Sequence, residues 1–352
     1  MKLMADLHHA DLWESYQLLF GDRMGWEVYA PYGLDWFTSW YWSFERSYHG
    51  DAVARQYLEG IWVDVVDKGD HVEAPDRTHP GRVIKGMTLE QARATKWDVV
   101  IASVPDNDAG FHRLAKETGG HFGIQMGNAG QFSDWDRAEF GLVSTNTIGT
   151  PNKPYVIYRQ EFNTHDFRHE WPPEEPNSIG SFLQCFAENK GMERGQFYDQ
   201  WERLAAAYPE FDWKVYGAYG TAQVDQWACG NLSTTPAVAA GMRKTGIFWH
   251  AKYWSDGYGH VIHNEFSVGR PIFAYHSYYS DKLAGALFVP GETMVNLDAM
   301  SDDDIVAQLR RFRDDPGEAQ RMGDAAAARF KAVVDFDEDA EKVKRLMEQV
   351  LG

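Results

Sequence analysis

The side chains best suited to chemistry gather in one stretch, Trp249-His-Ala-Lys-Tyr-Trp-Ser-Asp-Gly-Tyr-Gly-His-Val-Ile-His-Asn-Glu-Phe-Ser-Val-Gly-Arg-Pro271. Gly246 to His250 has the apolar run of a buried strand end. Gly257 and Gly259 then flank Tyr258, and glycine lets the backbone pass close to a ligand. An amphipathic pattern opens near Gly259 and stops at Gly269, before Pro271 starts another strand. A helix placed there turns its unpaired N–H groups toward the loop, where an anion suits them best. Lys252 can bring a full positive charge to the same spot. The chemistry implied is phosphate binding, although the same glycines also serve any strand–loop–helix connection of an α/β domain.

A second group, Asp6-Leu-His-His-Ala-Asp11, follows an apolar run over residues 2 to 7 that reads as the first strand. It places two imidazoles and two carboxylates at a strand's carboxyl end, where open parallel sheets bind ligands. Asp11 equally suits capping of the helix predicted over Ala10 to Gly21. Ser301-Asp-Asp-Asp304 reads as a helix cap and not a metal site, because acids favour the positive end of a helix. Cys185 and Cys229 lack metal-ligand spacing and are expected to be free thiols.

Strand and helix patterns must position these groups, and they alternate through most of the 352 residues. Strands are predicted at Trp26 to Tyr29, Trp97 to Ser103, Phe122 to Met126, Gly141 to Ser144 and Pro154 to Tyr158. Helices are predicted from Thr88 to Thr95 and Asn107 to Thr118. Leu34 to Tyr48 is crowded with aromatic residues, and residues 64 to 82 read as a polar, exposed excursion. Trp171-Pro-Pro-Glu-Glu-Pro176 is expected to hold no regular structure and to serve as a hinge. A second series follows, with strands at Ser178 to Phe186, Asp212 to Tyr216, Leu287 to Pro290 and Thr293 to Leu297. Its helices are expected at Gly195 to Tyr208, Thr235 to Thr245, from Ser301 onward and from Pro316 to Leu351.

The length suggests two domains, and 44% hydrophobic content with 14% aromatics suits a globular protein. A net charge of −18 is a poor match for duplex nucleic acid or an anionic membrane, although a local basic groove stays open. No apolar run approaches the roughly 18 residues of a membrane span, and the N-terminus is too polar for a signal sequence. A cytoplasmic protein is expected.

Three segments then resemble the donor domain of nucleotide-sugar glycosyltransferases with the GT-B fold, closest to retaining enzymes of the glycosyltransferase family 4 type. Ser181-Phe-Leu-Gln-Cys-Phe-Ala-Glu-Asn-Lys-Gly191 resembles its opening strand and Lys-Gly turn. Phe211-Asp-Trp-Lys-Val-Tyr-Gly217 resembles the next strand ending in glycine. Asp256 to Pro271 resembles the acidic-Gly-Phe-Gly…Glu-Ala…Gly-x-Pro signature. The whole chain is also similar to glycosyltransferase-like proteins of viral and metagenomic origin that share a Leu-His-His-Ala-Asp start. The implied fold is α/β GT-B, two doubly wound Rossmann-like domains facing across a cleft. Residues 1–172 would be the acceptor-side domain and 173–330 the donor domain. The helix over 331–352 would pack back on the first domain.

The resemblance implies transfer of a hexosyl or pentosyl group from a UDP- or GDP-type sugar to a hydroxyl. Acceptors in view are a glycan, a small molecule, a protein or a modified base of viral DNA; no metal or other cofactor is required. Departures are informative. The family's Arg-x4-Lys pair falls on Cys185 and Lys190, so Lys252 is the candidate to replace the missing arginine. The second acid of the signature, which would grip the ribose, falls on Asn264, with Glu265 one step later and about 100° round the helix. Lys190, Gly217, His250, Lys252, Gly257, Tyr258, Gly259, His260, Val261 and Asn264 are the expected donor-binding residues. Asp256 would contact the sugar hydroxyls, and His8, His9 or Asp11 would serve as base, since imidazole titrates near neutrality. His263 is expected to pack or to face solvent. A GT-B nucleotide-sugar epimerase and a non-catalytic nucleotide- or sugar-binding protein are the rival readings.

Overall fold

The computed structural model describes residues 1–7, 10–33, 36, 61–103, 105–127, 135–146, 152–183, 195–216, 227–230, 232–252 and 257–352. Of the aromatic segment Leu34 to Tyr48, only Trp36 lies within this set. The chain divides into two compact units, Met1–Phe162 with Phe336–Gly352, and Asn163–Asp335.

The first unit is built on a nine-stranded sheet. Its strands are β1 (Lys2–Ala5), β2 (Glu27–Pro31), β3 (Val66–Asp67), β4 (Val72–Pro75), β5 (Val83–Met87), β6 (Val99–Ala102), β7 (His121–Met126), β8 (Phe140–Val143) and β9 (Tyr155–Ile157). The order is β3-β4-β5-β2-β1-β6-β7-β8-β9, and every neighbouring pair from β5 to β9 is parallel. Alternation divides the strand residues between two cores. Leu3 and Ala5 pack with Val343 and Met347 of the helix Phe336–Leu351, whereas Met4 packs with Val100 and Ile124 on the other face. Thr88 caps the helix Leu89–Ala94 as its sequence predicts, through a reciprocal box with Gln91. The helix begun at Ala10 departs from expectation: after Tyr16 it widens into a π-helix, Gln17–Arg23.

Three other predictions need correction here. The polar excursion over 64–82 contains β3 and β4, an antiparallel extension whose Val72 and Ala74 point inward at alternate positions. The expected strand at Leu287 to Pro290 is the end of a 3-10 turn, Leu283–Leu287, and an isolated bridge from Pro290 to Met294. The single helical run to Leu351 breaks between Val333 and Phe336, where the chain returns to the first unit.

The second unit holds a five-stranded sheet of β10 (Glu175–Ser181), β11 (Asp212–Val215), β12 (Thr245–His250), β13 (Ile272–Ala274) and β14 (Val295–Asn296). All its pairs are parallel, in the order β11-β10-β12-β13-β14. Four tryptophans, Trp201, Trp213, Trp227 and Trp249, meet edge to face on one side of it. The Pro-rich segment expected to lack regular structure enters β10 at Glu175, and Trp171 before it lies over the Arg270 guanidinium. Both sheets reverse direction beside their first strand. The chain leaves β1 for β2 on one side and returns as β6 on the other; likewise it goes from β10 to β11 and back to β12. Such reversals open a crevice at the carboxyl ends of the strands. Among the described residues no helix is long and apolar enough to cross a membrane.

A buried charge cluster pins the antiparallel extension to the first helix. His79 Nδ1 lies 3.0 Å from Asp76 Oδ2, and His79 Nε2 lies 3.3 Å from Glu14 Oε2. Burial works against the imidazolium, but hydrogen bonds to Asp76 and Glu14 outweigh it and push the pKa up to about 9. A raised histidine pKa stabilises the fold fully below the ordinary value of 6.5, and the effect is lost as pH rises through about 9. The melting-temperature advantage of the natural protein over His79→Gln should therefore be greatest below that window and shrink across it. An advantage that stays constant from acid to strongly alkaline pH would exclude a charged His79.

Candidate active site

In the second unit several chemistry-bearing residues stand at the carboxyl end of β12 and on the helix that follows it. β12 ends at His250, and the Lys252 N–H donates to the His250 carbonyl at 2.8 Å, folding the chain tightly off the sheet. The chain is described again at Gly257. Gly259 has φ 75° and ψ 67°, a left-handed conformation that costs little only for glycine. From it springs the helix His260–Val268. No side-chain hydrogen bond caps this helix at Gly259, and its first turn holds no acid. Its leading N–H groups carry the partial positive charge of a helix start.

Aromatic packing fixes the loop. The Tyr258 ring stacks on His263, with centroids 4.3 Å apart and planes 16° apart, and meets His260 edge-on. His263 is fully buried, and its Nδ1–H donates to the Gly259 carbonyl at 2.8 Å. Of the two alternatives for His263, packing is the one realised.

His250 has a different position from the one expected of a pocket-lining side chain. It is fully buried, with Nδ1 2.9 Å from Glu265 Oε2 and Nε2 2.8 Å from the Tyr279 hydroxyl. Glu265 is fully buried too, and Tyr279 stacks on Phe288, which also packs against Phe266. This Glu265–His250–Tyr279 relay ties the end of β12 to the site helix from behind. Glu265 faces His250 inside the unit, and Asn264 shares its helix face with the half-buried His260 and Val261, four and three residues earlier.

Of the expected donor-binding residues, His250 ends β12 with its side chain in the core, Lys252 follows two residues later, and Gly257, Tyr258, Gly259, His260, Val261 and Asn264 form the loop and start of the site helix. Lys190, Gly217, Asp256, His8 and His9 lie outside the described residues. Asp11 is the second residue of the helix Ala10–Tyr16, in its first turn, where an acid favours the positive end without being the N-cap. Beside it, at the crevice of the first unit, Asp6 accepts hydrogen bonds from the Ser103 amide, at 2.8 Å, and from the Ser103 hydroxyl. This joins the ends of β1 and β6. Among the described residues no group of three or more His, Cys, Asp or Glu side chains could hold a metal ion.

Sequence reasoning passed over Tyr279 and Ser103. A tyrosine in a short turn and a serine at a strand end carry no local mark of their long-range partners. Glu265 was noted only as a poor substitute for the missing acid; its pairing with a histidine fifteen residues earlier depends on how helix and strand cross.

The sequence matches no protein-family model and no curated protein. The structure is similar to solved ones along the whole chain. Anabaena HepE in complex with UDP and glucose superposes with a TM-score of 0.65 at 10% identity, covering 99% of this chain and 100% of that one. The pneumococcal O-GlcNAc transferase GtfA in complex with UDP and GlcNAc gives 0.59 at 10% identity, with 100% and 99% covered. An α-glucosyltransferase in complex with UDP and a 13-mer DNA containing an HMU base gives 0.58 at 10%, with 99% of each chain covered. These likenesses establish the fold: two Rossmann-type units of the GT-B architecture.

The buried relay has a measurable signature. Glu265→Ala would strand the His250 imidazole without its carboxylate and should cost on the order of 3–5 kcal/mol in urea unfolding. Tyr279→Phe removes one neutral hydrogen bond and should cost about 1 kcal/mol. A Glu265→Ala cost no larger than that of Tyr279→Phe would show that no charged pair operates there.

Proposed function

We propose that this protein is a glycosyltransferase that moves a sugar from a nucleoside diphosphate to a hydroxyl acceptor. The observation that carries the reading is the uncapped helix start at Gly259, at the crevice beside β12, with Lys252 two residues beyond the strand. A departing diphosphate has about two negative charges. In a dry site it needs oriented donors and cations, because unpaired charge there costs several kcal/mol. The amides from Gly257 to His260 supply the donors, and Lys190 and Lys252 the cations. Asp256 contacts the donor-sugar hydroxyls, Asn264 the ribose, and Tyr258, Val261 and Gly217 line the pocket. His250 acts through the loop it anchors and not by touching the donor. His8, His9 and Asp11 are the candidates to take the acceptor proton.

The second unit is thus the donor domain and the first carries the acceptor groups. The nucleotide is of UDP or GDP type, the transferred group a hexose or pentose, and retention is the stereochemistry favoured by the family 4 resemblance. Leaving-group stabilisation by amides and lysines gives a mechanism with no metal in it. The acceptor's class is left to the assay, and a net charge of −18 weighs against a DNA acceptor.

A thermal-shift screen of nucleoside diphosphates and their sugars tests binding; a ligand at a hundred times its Kd raises stability by about 2.7 kcal/mol. Donor consumption measured with and without acceptors then separates the classes. Acceptor-dependent consumption marks a transferase, acceptor-independent isomerisation an epimerase, and binding without turnover a non-catalytic protein. Gly259→Val, forced out of the left-handed conformation, should lose nucleotide binding. Lys252→Met and Lys190→Met should each lower turnover by on the order of a hundredfold. Natural turnover and diphosphate affinity in Lys252→Met would transfer the cationic role to another residue.

A further inference from the structure

We infer that Asn264 makes the nucleotide site tolerant of 2′-deoxyribose, so that its donor class extends to 2′-deoxynucleoside diphosphate sugars. The inference rests on the nucleotide-binding reading above and concerns which nucleotides that site accepts.

Its basis is the division of labour between two adjacent helix residues. On the helix His260–Val268, Ile262, His263, Glu265, Phe266 and Val268 are fully buried. Asn264 is 8% exposed and shares its face with the half-buried His260 and Val261, the residues that follow the Gly257–Gly259 loop. The Asn264 Oδ1 is itself buried and accepts no hydrogen bond from any described residue. Buried acceptors are normally satisfied, and one that is not, beside a nucleotide site, awaits a donor from the ligand. A ribose hydroxyl is such a donor.

The carboxylate that could compete for the ribose is turned away. Glu265 Oε2 sits 2.9 Å from His250 Nδ1 inside the unit, about 100° round the helix from Asn264. The ribose therefore meets a neutral amide. A carboxylate would take both ribose hydroxyls in charge-assisted bonds, roughly twice as strong as neutral ones, and would be left partly bare by a deoxy sugar. A single amide oxygen is satisfied by the 3′-hydroxyl alone. Removing the 2′-hydroxyl should then weaken binding by about tenfold or less, the range of one neutral hydrogen bond.

Isothermal titration of the full chain with UDP against 2′-deoxy-UDP, and GDP against 2′-deoxy-GDP, tests this on the natural protein. In the pair that binds, the deoxy form should bind within about tenfold of the ribo form. Asn264→Asp should widen that ratio by on the order of tenfold, because it restores the charged acceptor. A larger than tenfold loss in the natural protein overturns the inference and leaves the donor site standing, as does an unchanged ratio in a folded Asn264→Asp. Should that variant fail to fold, the natural protein's ratio decides alone. Failure of all four nucleotides to bind would overturn the donor-site reading and this inference with it.

Discussion

A fully buried guanidinium holds the second unit together. Arg270 Nε donates to the Thr245 carbonyl at 3.0 Å, Nη2 to Arg243 at 2.7 Å, and Nη1 to Gly269 at 3.2 Å and Val268 at 3.4 Å. Those carbonyls belong to the end of the helix Thr235–Lys244, the start of β12 and the end of the site helix. Burial lowers the Arg270 pKa to about 10, so the group stays charged at neutral pH. A buried cation survives only if its donors are met; here the partial negative charge at two helix ends meets them.

That arrangement gives the site helix unequal ends. Its C-terminus is held from several sides: beyond Arg270, the His169 ring lies 2.8 Å from the Val268 carbonyl, and the Ser267 hydroxyl donates to the Phe167 carbonyl at 2.8 Å. Gly323 brings the helix Pro316–Val333 so close that a Cβ there would fall 2.6 Å from the Gly269 carbonyl. The N-terminus has no side-chain cap. A rigid rear and a donor-rich front are what an anion site needs, since a helix free to tilt would lose its aim. The segment between Asn163 and β10 supplies part of this rear fixture, through His169, Phe167 and Trp171.

Much of this was legible in the sequence because the local signals are strong. Apolar runs marked most of the parallel strands, Thr88 and Ser301 marked their helix starts, and Gly259 and Gly269 marked both ends of the site helix. The glycine signal carries well because left-handed backbone admits few other residues. Long-range polar pairing was not legible. Asp76 and His79 sit in a stretch whose composition reads as exposed, yet Glu14, sixty-five residues away, draws both inside. Prolines misled in the same way: Pro176 lies within β10 because strand pairing from β12 outweighs a lost donor near the strand's start. His250 looked like a ligand contact, since a histidine at a strand end carries no mark of whether it faces the crevice or the core.

The first unit is assembled from two stretches separated by all of the second, and this matters during synthesis. Phe162 and Phe336, where the two stretches part, stack edge to face at 5.5 Å, and Arg23 binds Glu161 and Asp337 on either side. A ribosome delivers residues 163–335 as one uninterrupted run, so the second unit can fold as soon as it emerges. The first cannot: Ala340, Val343, Leu346 and Met347 cover apolar residues that include Leu3, Trp13 and Phe140. Until those residues are made, the earliest-translated sheet carries an open greasy stripe, the kind of surface on which nascent chains stick to one another and chaperones settle. The order of translation is therefore the reverse of the order of completion.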